Sequence, residues 1–308
     1  MTDMAQPSPL VRTIHHGPMV FEVEIRASPS PRTAPVLAIR GPAESSRVMV
    51  VQAAAVVPWA DLVAVRIGGV TSPGVLPAAV GLDDLADGLG AVLDELGLTR
   101  VNVCGASFAG DLAYRFAVRH PDRLERVVLT GPAGKVRDHI APGEGPRDVA
   151  ARLLTAGRSA TADYIASALL CLDPAVPVRG RAVLQRAMLE HMHRSDDAEF
   201  GRWLRCLELQ YTAPPLAGAG PSVPVLVVTG DHDVPAPPAV CRALAARCAQ
   251  GVFATIGESD HFVFLTRWRE HLDLTRRFLL DEPLDHLPYL TSLERLHRTA
   301  PVVPVAVG

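Results

Sequence analysis

Three short stretches combine the residue types that nucleophilic chemistry needs. The first, VNVCGASFAGDLAYRFAVRHP, carries Ser107 on what reads as a tight turn between a buried strand and a helix. A serine held there has a strained backbone and an exposed hydroxyl. Strand and helix backbones pass close together at such a turn, so only small residues fit two before and two after the serine. Gly105 and Ala109 meet that need. The start of the helix also brings partial positive charge and free N–H groups to the place where an oxyanion would form. A nucleophilic serine needs a base, and the base needs an orienting acid. The second stretch, PVLVVTGDHDVPAPP, ends a buried strand at Gly230 and continues with Asp231, His232 and Asp233. Carboxylates at the C-terminal end of a parallel strand face the ligand crevice. Asp233, just before Val234-Pro235, is the better candidate, while Asp231 also reads as a turn-former bonded to its own backbone. The third stretch, VFATIGESDHFVFLTRW, sets His261 in a polar loop between the last strand and the last long helix.

The elements around these stretches alternate. Strand-like runs fall at 19–25, 35–39, 47–52, 62–67, 100–105, 126–131, 224–230 and 252–257. The later runs are almost continuous Val, Ile and Leu, as expected of parallel strands buried on both faces. Between them, Leu85, Leu89, Val92, Leu93 and Leu96 share one helical face, and Leu112, Phe116 and Ala117 mark the helix after Ser107. From 131 to about 219 no strand pattern appears, but helical patterns do, at 147–156, 161–171, 180–193 and 196–211. Pro/Gly-rich stretches flank this segment, so it reads as a helical insertion in a continuous α/β core. The domain reading is therefore a core of 1–130 and 223–280, an insertion at 131–222, and a C-terminal extension at 281–308 with a short helix in LTSLERLH.

Composition narrows the function classes. The 308 residues are 48% apolar and 20% charged, with a net charge of −3, which excludes a disordered tail or a basic nucleic-acid binder. The five cysteines are scattered without C-x-x-C spacing, so neither a disulfide framework nor a zinc site is expected. No apolar leader or bilayer-length run is found, and a cytoplasmic protein with no membrane partner is expected. His15-His16 would face opposite ways on an extended chain, and His191 and His193 do not share a helix face, so no metal is expected. Asp111, in the first turn after Ser107, suits the helix dipole.

The chain order Ser, Asp, His on an α/β sheet resembles that of the α/β-hydrolase superfamily. The resemblance covers roughly 18 to 280, with GASFAG like the family's nucleophile elbow, TGDHD its acid loop and SDHF its histidine loop. It implies Ser107 as nucleophile, His261 as general base and acid, and Asp233 as orienter, with 131–222 as the cap that roofs the pocket. It implies no cofactor, a small-molecule substrate, and hydrolysis of an acyl or ester group of a small apolar molecule. Acyl transfer or elimination in a small-molecule biosynthetic pathway, or a silent ligand-binding member, are the alternatives; a homo-oligomer is left open. The family usually has His-Gly-x after the strand matched here to RVMVVQ, the third residue donating an N–H to the oxyanion. The stretch here reads Gln52-Ala53-Ala54, which makes Ala54 and Phe108 the expected donors. About seven residues separate it from the next strand, too few for the family's helix, so Gln52 or Trp59 is expected to anchor the loop instead. An Ala54 N–H turned away from Ser107 would favour elimination or ligand binding over hydrolysis.

Overall fold

Residues 9–42, 46–132, 146–216 and 218–297 are described by the structure, a computed structural model. Their apolar runs pair into one sheet of nine strands. These are β1 (Leu10–His16), β2 (Met19–Arg26), β3 (Val36–Ile39), β4 (Leu62–Ile67), β5 (Val101–Ala106), β6 (Leu124–Thr130), β7 (Pro224–Gly230), β8 (Gln250–Ile256) and β9 (Leu290–His297). Across the sheet the order is β1-β2-β4-β3-β5-β6-β7-β8-β9. Neighbours from β4 to β8 run parallel, whereas the β1–β2 hairpin at one edge and β9 at the other are antiparallel.

The helices are α1 (Ser46–Val56), α2 (Leu82–Glu95), α3 (Phe108–Arg119), α4 (Pro146–Leu169), α5 (Arg181–Arg194), α6 (Asp197–Thr212), α7 (Pro238–Ala245), α8 (Val263–Thr266) and α9 (Trp268–Leu279). Because strand side chains alternate, Leu37 and Ile39 of β3 join the core shared with α2, α3 and α7. Val36 and Ala38 join the core shared with α1 and α9. Burial on both faces is what the unbroken Val/Leu/Ile runs require. Helices α4 to α6 lie between β6 and β7, with α4 broken at Gly157 near the gap between the two expected helices. They bury Leu153, Ile165, Met192, Trp203 and Tyr211 against one another and against Phe262 of the histidine loop. The Asp196 carboxylate caps α6 by accepting the Glu199 N–H at 2.7 Å. Residues 133–145 and Ala217 of the expected cap lie outside the described residues.

Two expectations are corrected. The run 47–52, expected to be a strand, lies inside α1. Its apolar pattern continues through Ala53-Ala54-Ala55, and the eleven residues form a helix that sets Ala53 and Val56 on the sheet while Val50 faces outward. The helix expected to be missing is therefore this run itself, and the strand that feeds it is β3. LTSLERLH, expected as a short helix, is strand β9. The Leu-x-x-Leu spacing suits a helix, but the open edge of β8 takes the segment as an antiparallel partner, from Gln250↔His297 to Ile256↔Leu290. The extension 281–308 thus completes the sheet rather than hanging from it. β1 is a strand that the sequence patterns do not announce. Among the described residues no helix is long and apolar enough to cross a membrane.

A tight constraint sits where β5 meets α3. A Cβ on Gly105 would lie 2.1 Å from the Ala109 carbonyl oxygen, a backbone atom that cannot move aside. Gly105→Ala is expected to lower unfolding stability in urea by about 1–3 kcal/mol, the usual cost of overpacking. Gly201→Ala, on α6 with nothing within 4 Å, should raise it by up to about 1 kcal/mol through helix propensity.

Candidate active site

Ser107 joins β5 to α3 with φ 53° and ψ −120°, a backbone conformation seldom adopted by residues with a side chain. Its N–H donates to the Thr130 carbonyl at the end of β6 (2.8 Å), which fixes the turn against the neighbouring strand. Its Oγ lies 2.9 Å from His261 Nε2. On the other side of the ring, Nδ1 lies 3.0 and 3.1 Å from the two oxygens of Asp233. The remaining valences of Asp233 are filled by the Thr229 hydroxyl (2.7 Å) and the Ala236 N–H (2.7 Å). Both His261 and Asp233 are buried. Three residues distant in sequence thus form one hydrogen-bonded chain.

Asp231 lies elsewhere. Its carboxylate accepts the N–H groups of Glu258 and Ser259, so it ties the loop after β7 to the loop after β8 rather than bonding its own backbone. Asp111 pairs with Arg115, whose guanidinium also reaches Asp83. His15 and His16 are consecutive on β1.

Burial alone would depress the His261 imidazole, but the charge and hydrogen bond of Asp233, with the charge of Asp260, outweigh it and hold the ring above its ordinary value. Asp260 is itself pushed upward by burial, against the N–H groups of Phe262 and Cys171 that its carboxylate accepts. Sequence patterns do not single out Asp260, nor do they mark Gly131. Gly131 has φ +49°, and a Cβ there would come within 3.0 Å of Asp233 and 3.2 Å of His261. A glycine directly after a buried strand, at the crevice end of the sheet, is the signal that could have marked it.

Ala54 is a correction. It sits within α1 with its side chain exposed and its N–H committed to the helix's own ladder, so it cannot serve an oxyanion at Ser107. Because 47–52 is not the strand that feeds the oxyanion loop, the orientation of Ala54 no longer separates hydrolysis from elimination. The loop that does reach the serine follows β3 and reads Arg40-Gly41-Pro42. Gly41 and Pro42 line the small cavity at Ser107, together with Phe108. At the third place of this loop, where the resemblance implies an N–H donor, Pro42 has none. The Phe108 N–H is the first of α3 and has no acceptor within the helix by its position. Gln52 holds the loop, as its Oε1 accepts from the buried Arg40 guanidinium at 2.6 Å; Trp59 instead bonds the Ala55 carbonyl. The roof of the cavity comes from Leu169, Trp203 and Leu207 of the insertion, and its side from Phe262 and Phe264.

The site makes a titration prediction independent of turnover. His261 should titrate above the ordinary imidazole value of 6.5 when followed by the NMR shift of its ring protons. Asp233→Asn removes the main opposing charge, leaves burial dominant and should carry the titration downward. Asp231→Asn, whose carboxylate bonds the Glu258 and Ser259 N–H groups and lies near His232 rather than His261, should leave it nearly in place.

Comparison with known proteins agrees with this architecture. The sequence profile of the alpha/beta hydrolase fold matches residues 40–267. A stretch of 51 residues is 39% identical to 2-hydroxy-6-oxo-6-phenylhexa-2,4-dienoate hydrolase of Comamonas testosteroni, covering 17% of this chain and 18% of that protein. The similarity to this curated relative therefore spans less than a fifth of its length. Among solved structures, a thermophilic esterase from Thermogutta terrifontis superposes with a TM-score of 0.69 at 18% identity, over 89% of this chain and 98% of the other. The enol-lactonase from Burkholderia xenovorans LB400 does so with a TM-score of 0.68 at 23% identity, over 87% and 99%. With the profile spanning most of the sheet and every strand-end loop of the site, the chain belongs to the alpha/beta hydrolase fold family.

Proposed function

We propose that this protein is a serine hydrolase acting on the acyl or ester group of a small, largely apolar molecule. The observation that carries the reading is the hydrogen-bonded chain from Ser107 Oγ through the buried His261 to the buried Asp233. In the proposed reaction His261 Nε2 takes the Ser107 proton as Oγ attacks the carbonyl carbon. Asp233 keeps Nδ1 protonated and steadies the imidazolium that forms. The tetrahedral oxyanion is met by the Phe108 N–H at the positive end of α3. Collapse expels the leaving group, which takes the proton from His261. Water, deprotonated by the same imidazole, then releases the acid and regenerates the serine. The chemistry draws on the chain's own side chains and water, and the hydrolase relative and the esterase-like fold support it.

Pro42 favours a second reading at the same site. Without its N–H the oxyanion is less well served, which would suit elimination of an acyl leaving group with His261 as base. The two readings part at Ser107.

A fluorophosphonate should label Ser107, and Ser107→Ala should abolish both labelling and ester turnover. Turnover that survives in Ser107→Ala would favour elimination, and labelling that survives would move the nucleophile elsewhere. His261→Ala should cost roughly a thousandfold or more in kcat/KM. Since the base must be neutral, kcat/KM should rise with pH through an inflection above 6.5, the direction in which the ring is displaced.

A further inference from the structure

The cavity that contains Ser107 is small, about 50 Å³. That is well below the roughly 300–1,000 Å³ of a small-molecule pocket. A carbonyl and its nearest atoms fit there, but the body of a substrate does not. On the α1/α9 face of the sheet lies a second cavity of about 340 Å³, within the range of small-molecule pockets. The two adjoin. Ala106, directly before the serine, and Phe264, after the histidine loop, belong to the walls of both.

The wall of the larger cavity is apolar and without charge. Val51 of α1 faces Trp268 and Leu272 of α9 across it, with Cys104 of β5 among its lining residues. Burial pushes the Cys104 thiol up to about 12 and the His271 imidazole down to about 4, so both are neutral near pH 7. His271 and the Thr130 hydroxyl satisfy each other at 2.7 Å, and Gln52 is engaged by Arg40. Among the described residues lining this space, no ionised group and no polar group awaiting a charged ligand is found. Val51, Phe264, Trp268 and Leu272 around it are only half-buried, so the space opens to solvent and a ligand can enter it.

We infer that the cavity between α1 and α9 is the subsite for the apolar, uncharged part of the substrate, an alkyl chain or aromatic ring that reaches it past Phe264 while its carbonyl sits at Ser107. The inference rests on the assignment of Ser107 as nucleophile and adds where the bulk of the substrate goes: under the core helices, not under the insertion. Phe264 and Ala106 are the wall that the two spaces share.

The test uses two fluorophosphonates differing only in an ethyl or octyl chain. The octyl probe should label the wild-type protein at least tenfold faster than the ethyl probe. Leu272→Trp fills the cavity from α9, and Val51→Phe fills it from α1. Each should shrink the octyl/ethyl rate ratio at least tenfold, with folding checked by the thermal melt. Should both variants fail to fold, tryptophan emission still decides. Octyl labelling should change an emission component that disappears in Trp268→Phe and persists in Trp203→Phe, whereas ethyl labelling should not. A preference for the octyl probe that the filling variants leave intact, or an emission change belonging to Trp203, overturns the subsite and leaves the serine assignment standing. Absence of labelling at Ser107 by either probe overturns the serine assignment and the subsite with it.

Discussion

The turn from β5 into α3 is the constraint on which the rest of the molecule hangs. The chain reverses from strand to helix across Ser107 alone, which forces φ 53° at that residue and brings Gly105 against the Ala109 carbonyl. Nothing larger than glycine fits at 105, and the strain at 107 persists only because its surroundings hold it. The Ser107 N–H is bonded to Thr130 on the adjacent strand, and α3 is sealed against the sheet by Leu112, Phe116 and Ala117, all fully buried. The core is thus what keeps the Ser107 hydroxyl pointed out of the sheet. An exposed loop would relax the same backbone.

The second requirement is a dry place for the imidazole. Burying His261 and Asp233 together is expensive unless every remaining hydrogen bond is made, and Thr229 and Ala236 make them. The loop that carries His261 is in turn pinned to the insertion. Asp260 accepts the Cys171 N–H beyond α4, and Glu258 takes both the backbone N–H and the guanidinium of Arg179. Phe262 completes the core of the insertion helices. Covering the serine and fixing the histidine are therefore one structural event. Loosening α4–α6 would wet the imidazole and lower the premium that its partnership with Asp233 commands.

How much of this is legible in the sequence varies with the element. The buried parallel strands and the stretches around Ser107, Asp233 and His261 stand out because glycine, small residues and acids interrupt long apolar runs at fixed places. The choice of Asp233 over Asp231 is readable from its distance beyond Gly230, whereas the service of Asp231 to residues 258 and 259 is not, since it depends on a loop 27 residues away. The run 47–52 misleads because a short apolar stretch has no period to separate a strand from a buried helix. The four-residue β3 is the true feeder of the loop, and mistaking the run for that strand moves the expected donor position from the Arg40-Gly41-Pro42 loop to Ala54. Leu290, Leu293 and Leu296 mislead for the opposite reason: their helical spacing is real, but the vacant edge of β8 outweighs it.

The loop after β3 then shapes how the proposed chemistry must be driven. With proline at 42, that loop offers no N–H at its third place, and the Arg40–Gln52 contact holds it to α1. A lost oxyanion donor typically costs about 3 kcal/mol of transition-state stabilisation. The start of α3, worth about half a unit charge, supplies part of what is missing, and the rest has to come from the part of the substrate that does not react. Burying about 100 Å² of apolar surface is worth roughly 2.5 kcal/mol, the same order as the missing donor. Such binding energy speeds the reaction when it is realised as orientation at the carbonyl rather than as mere retention. The apolar space behind Ala106 is placed to do that, since a chain anchored there would fix the acyl group against Ser107 from the side opposite the insertion. A thin oxyanion site and a deep apolar subsite are on this view one design, in which remote contacts do the work that a second backbone donor does elsewhere.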